Sequence, residues 1–88
     1  MSLFADAVGE FLNELVVSGD INHYDSADIL DLRKFDIKRK AKMHLRMSVY
    51  GDGIVVIWAP NSCYNSHTTI DMLSPKCFVD LKRAVSDL

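Results

Sequence analysis

The sequence contains few of the residues that mark several protein classes. Among its 88 residues there are two cysteines, Cys63 and Cys77, and two prolines. Two cysteines are too few for the disulfide scaffold of a small secreted domain. The longest uninterrupted apolar run, residues 54–59, is far shorter than the roughly 20 residues of a membrane-spanning helix. We therefore expect a cytoplasmic protein that has no membrane partner.

Basic residues are absent from the first third of the chain. Residues 1–32 carry seven acidic residues and no Lys or Arg, whereas residues 33–46 carry seven of the ten basic residues. The net charge of −2 conceals this segregation. One interpretation is that acidic helices neutralise a basic strand beside them. The other is a dipolar surface, which favours an acidic partner, a nucleic acid or head-to-tail self-association.

The composition is that of a globular domain. About 49% of the residues are apolar and 25% are charged, close to the average for folded domains. A chain of this length can bury one hydrophobic core but not two. We therefore predict a single α+β domain over residues 1–88.

Two helices are predicted in the first half of the chain. Apolar residues recur at helical spacing between Ser2, a good N-cap, and Gly19, a good helix terminator. A second start signal at Ser26, with Asp28 in the first turn, predicts a short helix over residues 27–34.

Residues 35–50 alternate between apolar and polar side chains, and the polar positions are mostly basic. A period of two predicts a strand with one buried face. A straight strand of that length would extend ~50 Å, too far for a domain of this size. We therefore predict a bulge or a change of direction near residues 38–40, where Arg39 breaks the apolar pattern, and a strand over residues 41–50.

The next segment predicts a hairpin. Gly51, Asp52 and Gly53 form a turn signal, and residues 54–59 form an apolar return strand. A three-residue loop would place Arg46 opposite Trp58, and a two-residue loop would place Met47 there instead. In both registers apolar side chains share a layer with basic ones. That layer is either covered by helices of the same chain or is an exposed patch that binds something.

The last third predicts one more strand and a helix. Residues 67–73 alternate weakly, and Ser74 and Pro75 form a helix start signal for a helix that reaches the last residue. The predicted architecture is α+β: an N-terminal helix, a short second helix, a three-stranded antiparallel meander and a C-terminal helix packed on the sheet.

Neither a metal site nor a catalytic site is predicted. Cys63 and His67 are one closely spaced pair of zinc ligands, whereas structural zinc sites need two such pairs. Ser62, Cys63, His67 and Asp71 are the only clustered candidates for nucleophilic catalysis, and ordinary loop composition explains the clustering. We expect no cofactor and no enzymatic activity.

Binding is the function that the sequence favours. We predict a small non-enzymatic interaction module, an adaptor, regulator or inhibitor, whose partner is an acidic protein or a second copy in a homodimer. The alternative is a nucleic acid, because basic residues recur at ~7 Å steps along a strand and aromatic side chains lie nearby. The net acidity of the chain and the use of lysines to protect strand edges argue against that alternative. The predicted binding residues are Lys38, Lys40, Lys42, His44, Arg46, Tyr50 and Trp58.

Overall fold

The structure is a computed structural model that describes residues 3–41, 44–60 and 67–88, which form two helices and one five-stranded sheet. All strand pairs are antiparallel, and each strand pairs with the next in the order β1-β2-β3-β4-β5. The elements are α1 (Leu3–Ser18), β1 (His23–Ile29), β2 (Leu32–Lys38), β3 (Leu45–Tyr50), β4 (Ile54–Trp58), β5 (His67–Asp71) and α2 (Cys77–Asp87).

The α+β class with a helix at each end of the chain is confirmed, but two details are wrong. The sheet has five strands instead of three, and residues 27–34 form part of a β-hairpin instead of a short helix. The helix signal at Ser26 is local, whereas β1 and β2 pair along their whole length, from His23 with Lys38 to Ile29 with Leu32. Pairing with a strand that reaches the core outweighs a local propensity of less than 1 kcal/mol per residue.

The alternating segment of residues 35–50 contains two strands instead of one. β2 ends at Lys38, near the predicted change of direction, and β3 begins only at Leu45, so the strand predicted over residues 41–50 starts too early. Ile37 pairs directly with Leu45, which keeps all odd-numbered residues of both strands on the same face. The reversal therefore preserves the odd and even faces of the alternation, and only the break at Arg39 marks it in the sequence.

Both helices pack on one face of the sheet, which we call the covered face. Its buried strand residues are Phe35, Ile37, Leu45, Met47, Val49, Val55, Ile57 and Ile70. From α1, Asn13 Oδ1 accepts a hydrogen bond from Tyr24 Oη of β1 at 2.6 Å. From α2, Leu81 and Val85 enter the same core. The opposite side of the sheet is the open face.

Arg33 joins α1 to the β1–β2 hairpin on the covered face. Its Nε donates to Asp28 Oδ1 at 2.7 Å, and its Nη1 donates to Asp6 Oδ1 at 2.9 Å. The hydrogen bonds to Asp28 and then to Asp6 raise the pKa of the guanidinium above its ordinary value. The charge of Arg33 is therefore used within the fold.

Arg39 caps the end of α2. Its side chain is buried, and Nη1 donates hydrogen bonds to the carbonyl oxygens of Val85 and Leu88. The last carbonyls of a helix have no partner within the helix, and a cation there also interacts favourably with the helix dipole. Burial lowers the pKa of the guanidinium, which still stays protonated at neutral pH.

We expect Arg39→Met to destabilise the protein by about 2–4 kcal/mol, because two helix carbonyls lose a charged donor and one is left buried. Urea denaturation measures this loss. Lys38→Met removes a charge at the exposed neighbouring position and should change the stability by less than ~0.5 kcal/mol. Equal losses in the two variants would contradict the capping role.

The loop of the β1–β2 hairpin has an unusual residue. Leu30 is fully exposed and has a φ of 52°. Among the described residues it is the only non-glycine residue with a positive φ. Such a conformation costs a residue with a Cβ roughly 1–2 kcal/mol, and hairpin loops normally place glycine there.

We expect Leu30→Gly to stabilise the protein by roughly 0.5–1 kcal/mol, because relief of the strain exceeds the added entropy of the unfolded chain. Thermal and urea denaturation both measure this gain. Asp31→Gly, at the next position of the same loop, relieves no positive φ and should destabilise the protein instead. A loss of stability in Leu30→Gly would show that the loop is not strained.

Candidate interaction face

The open face presents every second side chain of the five strands. On the three central strands these are Leu32, Lys34, Asp36 and Lys38 of β2, Arg46, Ser48 and Tyr50 of β3, and Ile54, Val56 and Trp58 of β4. The edge strands add His23, Asp25, Ala27 and Ile29 of β1, and His67, Thr69 and Asp71 of β5. Within the described residues no helix lies over this face, since the helix contacts involve the covered face.

One row of paired residues crosses the open face from β2 to β5. Asp36 pairs with Arg46, Arg46 with Trp58, and Trp58 with His67. The three-residue loop register is therefore the correct one of the two predicted registers. Arg46 Nε donates to Asp36 Oδ1 at 3.2 Å, with both side chains about half exposed. This ion pair offsets part of the positive charge of the row.

Trp58 lies between two shallow clefts of the open face. One has a volume of about 260 Å³ and is lined by Lys34, Asp36 and Arg46 together with Trp58. The other, of about 240 Å³, is lined by Val56, Ala59 and His67 together with Trp58. The indole can therefore contact a ligand in either cleft.

The centre of the open face is apolar. Ile54, Val56 and Trp58 are half-buried, and Tyr50 is 38% exposed. Ser48, in the middle of the sheet, is buried between the larger side chains around it. Aromatic side chains within an apolar patch that is rimmed by charges are typical of protein interfaces.

Four of the predicted binding residues lie on the open face: Lys38 on β2, Arg46 and Tyr50 on β3, and Trp58 on β4. His44 precedes β3 and is exposed. Lys42 lies outside the described residues.

Lys40 follows β2 and lies elsewhere. Its Nζ lies beside Gly19 at the end of α1, and its side chain lines a cleft with Asp20 and Lys82. The basic residues predicted as one stripe are thus distributed over the open face and the adjoining end of the sheet.

The alternation of residues 35–50 predicts Asp36 on the polar side of its strand, which is this face, but it does not predict Lys34 or His67 there. Lys34 falls in the predicted short helix, and His67 begins a weakly alternating strand and is named only as a zinc or catalytic candidate. The pattern of β2, with Phe35 and Ile37 pointing to the core, places Lys34 on the same side as Asp36.

The structure does not bring the candidate catalytic residues together. His67 and Asp71 are the first and last residues of β5, about 13 Å apart at strand spacing, which is beyond hydrogen-bond reach. Ser62 and Cys63 lie outside the described residues. Cys77 is buried in the first turn of α2.

Within residues 3–41, 44–60 and 67–88, no group of three or more His, Cys, Asp or Glu side chains could hold a metal ion. Neither helix described is long and apolar enough to cross a membrane. In comparisons with protein-family models, curated proteins and solved structures, nothing matches this chain.

At the end of the sheet near Lys40, Asp20 is hydrogen-bonded to a side chain of α2. Asp20 Oδ2 accepts a hydrogen bond from Ser18 Oγ at 2.6 Å and another from Lys82 Nζ at 3.1 Å. The hydrogen bond from Ser18, and to a smaller extent the one from Lys82, lowers the pKa of Asp20 below its ordinary value of 3.8. A carboxylate whose pKa is lower in the folded state than in the unfolded state stabilises the fold at pH values above its ordinary pKa. This stabilisation is lost as the pH falls through the pKa of the folded state.

We expect Asp20→Asn to be less stable than the wild type at neutral pH and equally stable in acid. Urea denaturation of both proteins from pH 7 to pH 2 measures the difference, which is small because Asp20 is exposed. Lys82→Gln removes one of the two donors and should weaken the same pH dependence. A difference that is constant over the whole range would exclude the carboxylate charge as its source.

Proposed function

We propose that this protein is a non-enzymatic interaction module whose open face binds an acidic segment of a larger protein. The observation that carries the proposal is the position of the helices. Both pack on the covered face, so that Tyr50, Val56 and Trp58 lie on a face that no described element covers. A small cytoplasmic regulator or inhibitor would act in this way, by occupying a surface of a larger molecule.

The charges of the open face favour an acidic partner. On the three central strands, Lys34, Lys38 and Arg46 outnumber the single acidic residue, Asp36. Arg46 is paired with Asp36, whereas Lys34 and Lys38 are exposed, and no ion pair of the described residues involves either of them. Opposite charges across an interface increase the association rate and select the partner.

The apolar centre supplies the contact area. Trp58 and Tyr50 are residue types that dominate the free energy of protein interfaces, particularly beside clefts that a partner side chain can fill. Trp58 lines both clefts of this face. A partner that covers Trp58 would also exclude water from the Asp36–Arg46 pair, which strengthens that interaction.

A nucleic acid fits the open face less well. Asp25 and Asp71 lie on the edge strands and would repel the phosphates of a nucleic acid that crosses the whole face. An acidic segment that follows the central strands meets only Asp36, which is paired with Arg46. Because Trp58 and Tyr50 could still stack on bases, nucleic acid is included as one outcome of the test.

Trp58 is the only tryptophan of the chain, so its fluorescence reports directly on the open face. We expect a Glu/Leu peptide to shift the Trp58 emission to shorter wavelength, because the indole leaves water, and to bind more tightly at low salt. Lys34→Gln combined with Lys38→Gln should weaken this binding roughly tenfold, or about 1.4 kcal/mol. Lys76→Gln combined with Arg83→Gln changes exposed bases of α2 and its N-cap and should leave it unchanged.

The same titration is repeated with a single-stranded oligonucleotide. A steep salt-dependent response to the oligonucleotide, without a response to the peptide, would replace the protein partner with a nucleic acid. If the pair Lys34→Gln and Lys38→Gln weakened binding no more than the control pair Lys76→Gln and Arg83→Gln, the open face would be excluded as the binding surface.

A further inference from the structure

Five of the nine large apolar side chains that are exposed in the described residues lie at one end of the molecule. We call this the turn end: residues 3–6 of α1, the β1–β2 loop with its flanks at residues 28–33, the β3–β4 loop at residues 50–54, and residues 71–73. Its exposed apolar side chains are Leu3, Ile29, Leu30, Tyr50 and Leu73, with exposed fractions of 84%, 42%, 100%, 38% and 72%.

The four segments of the turn end contact one another. The Gly51 amide donates to the Asp31 carbonyl at 3.1 Å, which joins the two hairpin loops. The Met72 amide donates to the Gly53 carbonyl at 2.8 Å, and the ring of Phe4 lies against Gly53. The four segments therefore form one end of the molecule, and the exposed leucines lie at that end.

A cleft of about 230 Å³ opens in this surface between α1 and the two loops. Its walls are formed by Ala5, Leu30, Leu32, Gly51, Asp28, Asp31 and Arg33. Arg33 is paired with Asp28, which leaves Asp31 as the acidic group of the cleft outside that ion pair. A cleft of this size accommodates one large side chain. Its lining suits a chain with an apolar stem and a cationic head, such as lysine or arginine.

The turn end is also strongly acidic. Its four segments contain five aspartates, Asp6, Asp28, Asp31, Asp52 and Asp71, and a single basic residue, Arg33. Arg33 is already bound to Asp6 and Asp28. Asp31 and Asp52 are exposed, beside the leucines. An occupant of this surface gains from carrying positive charge next to apolar side chains.

Leu30 adds apolar surface to the turn end, and its strained backbone lowers the free energy of unfolding. Its positive φ is a conformation that glycine adopts without strain, and its side chain is fully exposed to solvent. The folded monomer gains nothing from a leucine there. When a binding partner covers this side chain, the full hydrophobic free energy of burying a leucine contributes to binding.

We propose that the turn end is a second interface, which binds a basic amphipathic segment of a partner protein. Leu3, Leu30 and Leu73 contact the apolar side of that segment. Asp31 and Asp52 contact its lysines or arginines, one of which enters the cleft beside Leu30. This interface adjoins the open face and prefers the opposite charge. The two surfaces share Ile29, Leu32, Tyr50, Ile54 and Asp71.

The test is a titration of the ¹⁵N-labelled protein with a synthetic amphipathic Lys/Leu peptide, followed by NMR. We expect chemical-shift changes in residues 3–6, 28–33, 50–54 and 71–73, and an affinity that falls as the salt concentration rises. A Glu/Leu peptide of equal length should not bind at these residues.

Leu30→Gly separates binding from folding, because we expect this variant to be more stable than the wild type. It should nevertheless bind the Lys/Leu peptide at least tenfold more weakly. Val17→Ala shortens an exposed apolar side chain at the other end of α1 and should bind as the wild type does. Equal binding by Leu30→Gly and the wild type would overturn the proposal.

Asp31→Asn combined with Asp52→Asn tests the charge. Asparagine keeps the acceptor that Asp52 Oδ1 provides to the Ile54 amide, so the β3–β4 loop is preserved. We expect severalfold weaker binding with a flatter salt dependence. Glu14→Gln combined with Asp87→Asn removes two exposed acidic charges outside the turn end and should have no such effect.

Three further results would each overturn the proposal. These are equal binding of the Glu/Leu peptide at the turn end, binding to uncharged phospholipid vesicles, and concentration-dependent self-association that Leu30→Gly abolishes. The last would identify a second copy as the occupant. Lys34→Gln combined with Lys38→Gln should leave binding at the turn end unchanged, so this interface and the open face can fail independently.

Discussion

The packing of both helices against one face of the sheet is the constraint on which the rest of the structure depends. It buries the odd-numbered side chains of β2, β3 and β4, such as Phe35, Met47 and Ile57, in one core. Since successive side chains of a strand point in opposite directions, the even-numbered ones must lie on the other face. The half-buried Trp58 and the exposed Lys34 and Lys38 are therefore a consequence of how the core is formed.

The same constraint divides the basic residues into two groups. Arg33 and Arg39 point to the covered face, where the first holds α1 against the hairpin and the second caps α2. The exposed charges of Lys34 and Lys38 remain on the open face. Counting bases along the sequence therefore overestimates the positive charge that a partner would meet, because two arginines stabilise the fold.

The two proposed interfaces differ in charge because the chain reverses direction at regular intervals. Both tight hairpin loops and the start of α1 lie at one end of the sheet, and these segments are rich in aspartate. Lys34 and Lys38 lie on β2 and Lys40 follows it, towards the middle and the far end of the sheet. The segregation of charge along the sequence thus becomes a segregation in space, and a module of this size could hold two partners of opposite charge.

The sequence by itself determined the α+β class, the helix at each end, and the shared side of Arg46 and Tyr50, because these depend on local periodicity. It left open which hairpin register forms and therefore on which side of the sheet Trp58 lies. It did not determine the number of strands. The reversal between β2 and β3 preserves the alternation of residues 35–50, and β1 is an exposed edge strand whose polar residues carry no pattern of burial. Only the tertiary structure decided that Lys34 joins the open face, that Asp36 neutralises Arg46, and that Leu3, Leu30 and Leu73 lie at the same end of the molecule. Each of these depends on pairing between segments that are distant in the sequence, and a pattern within one segment contains no information about its partners.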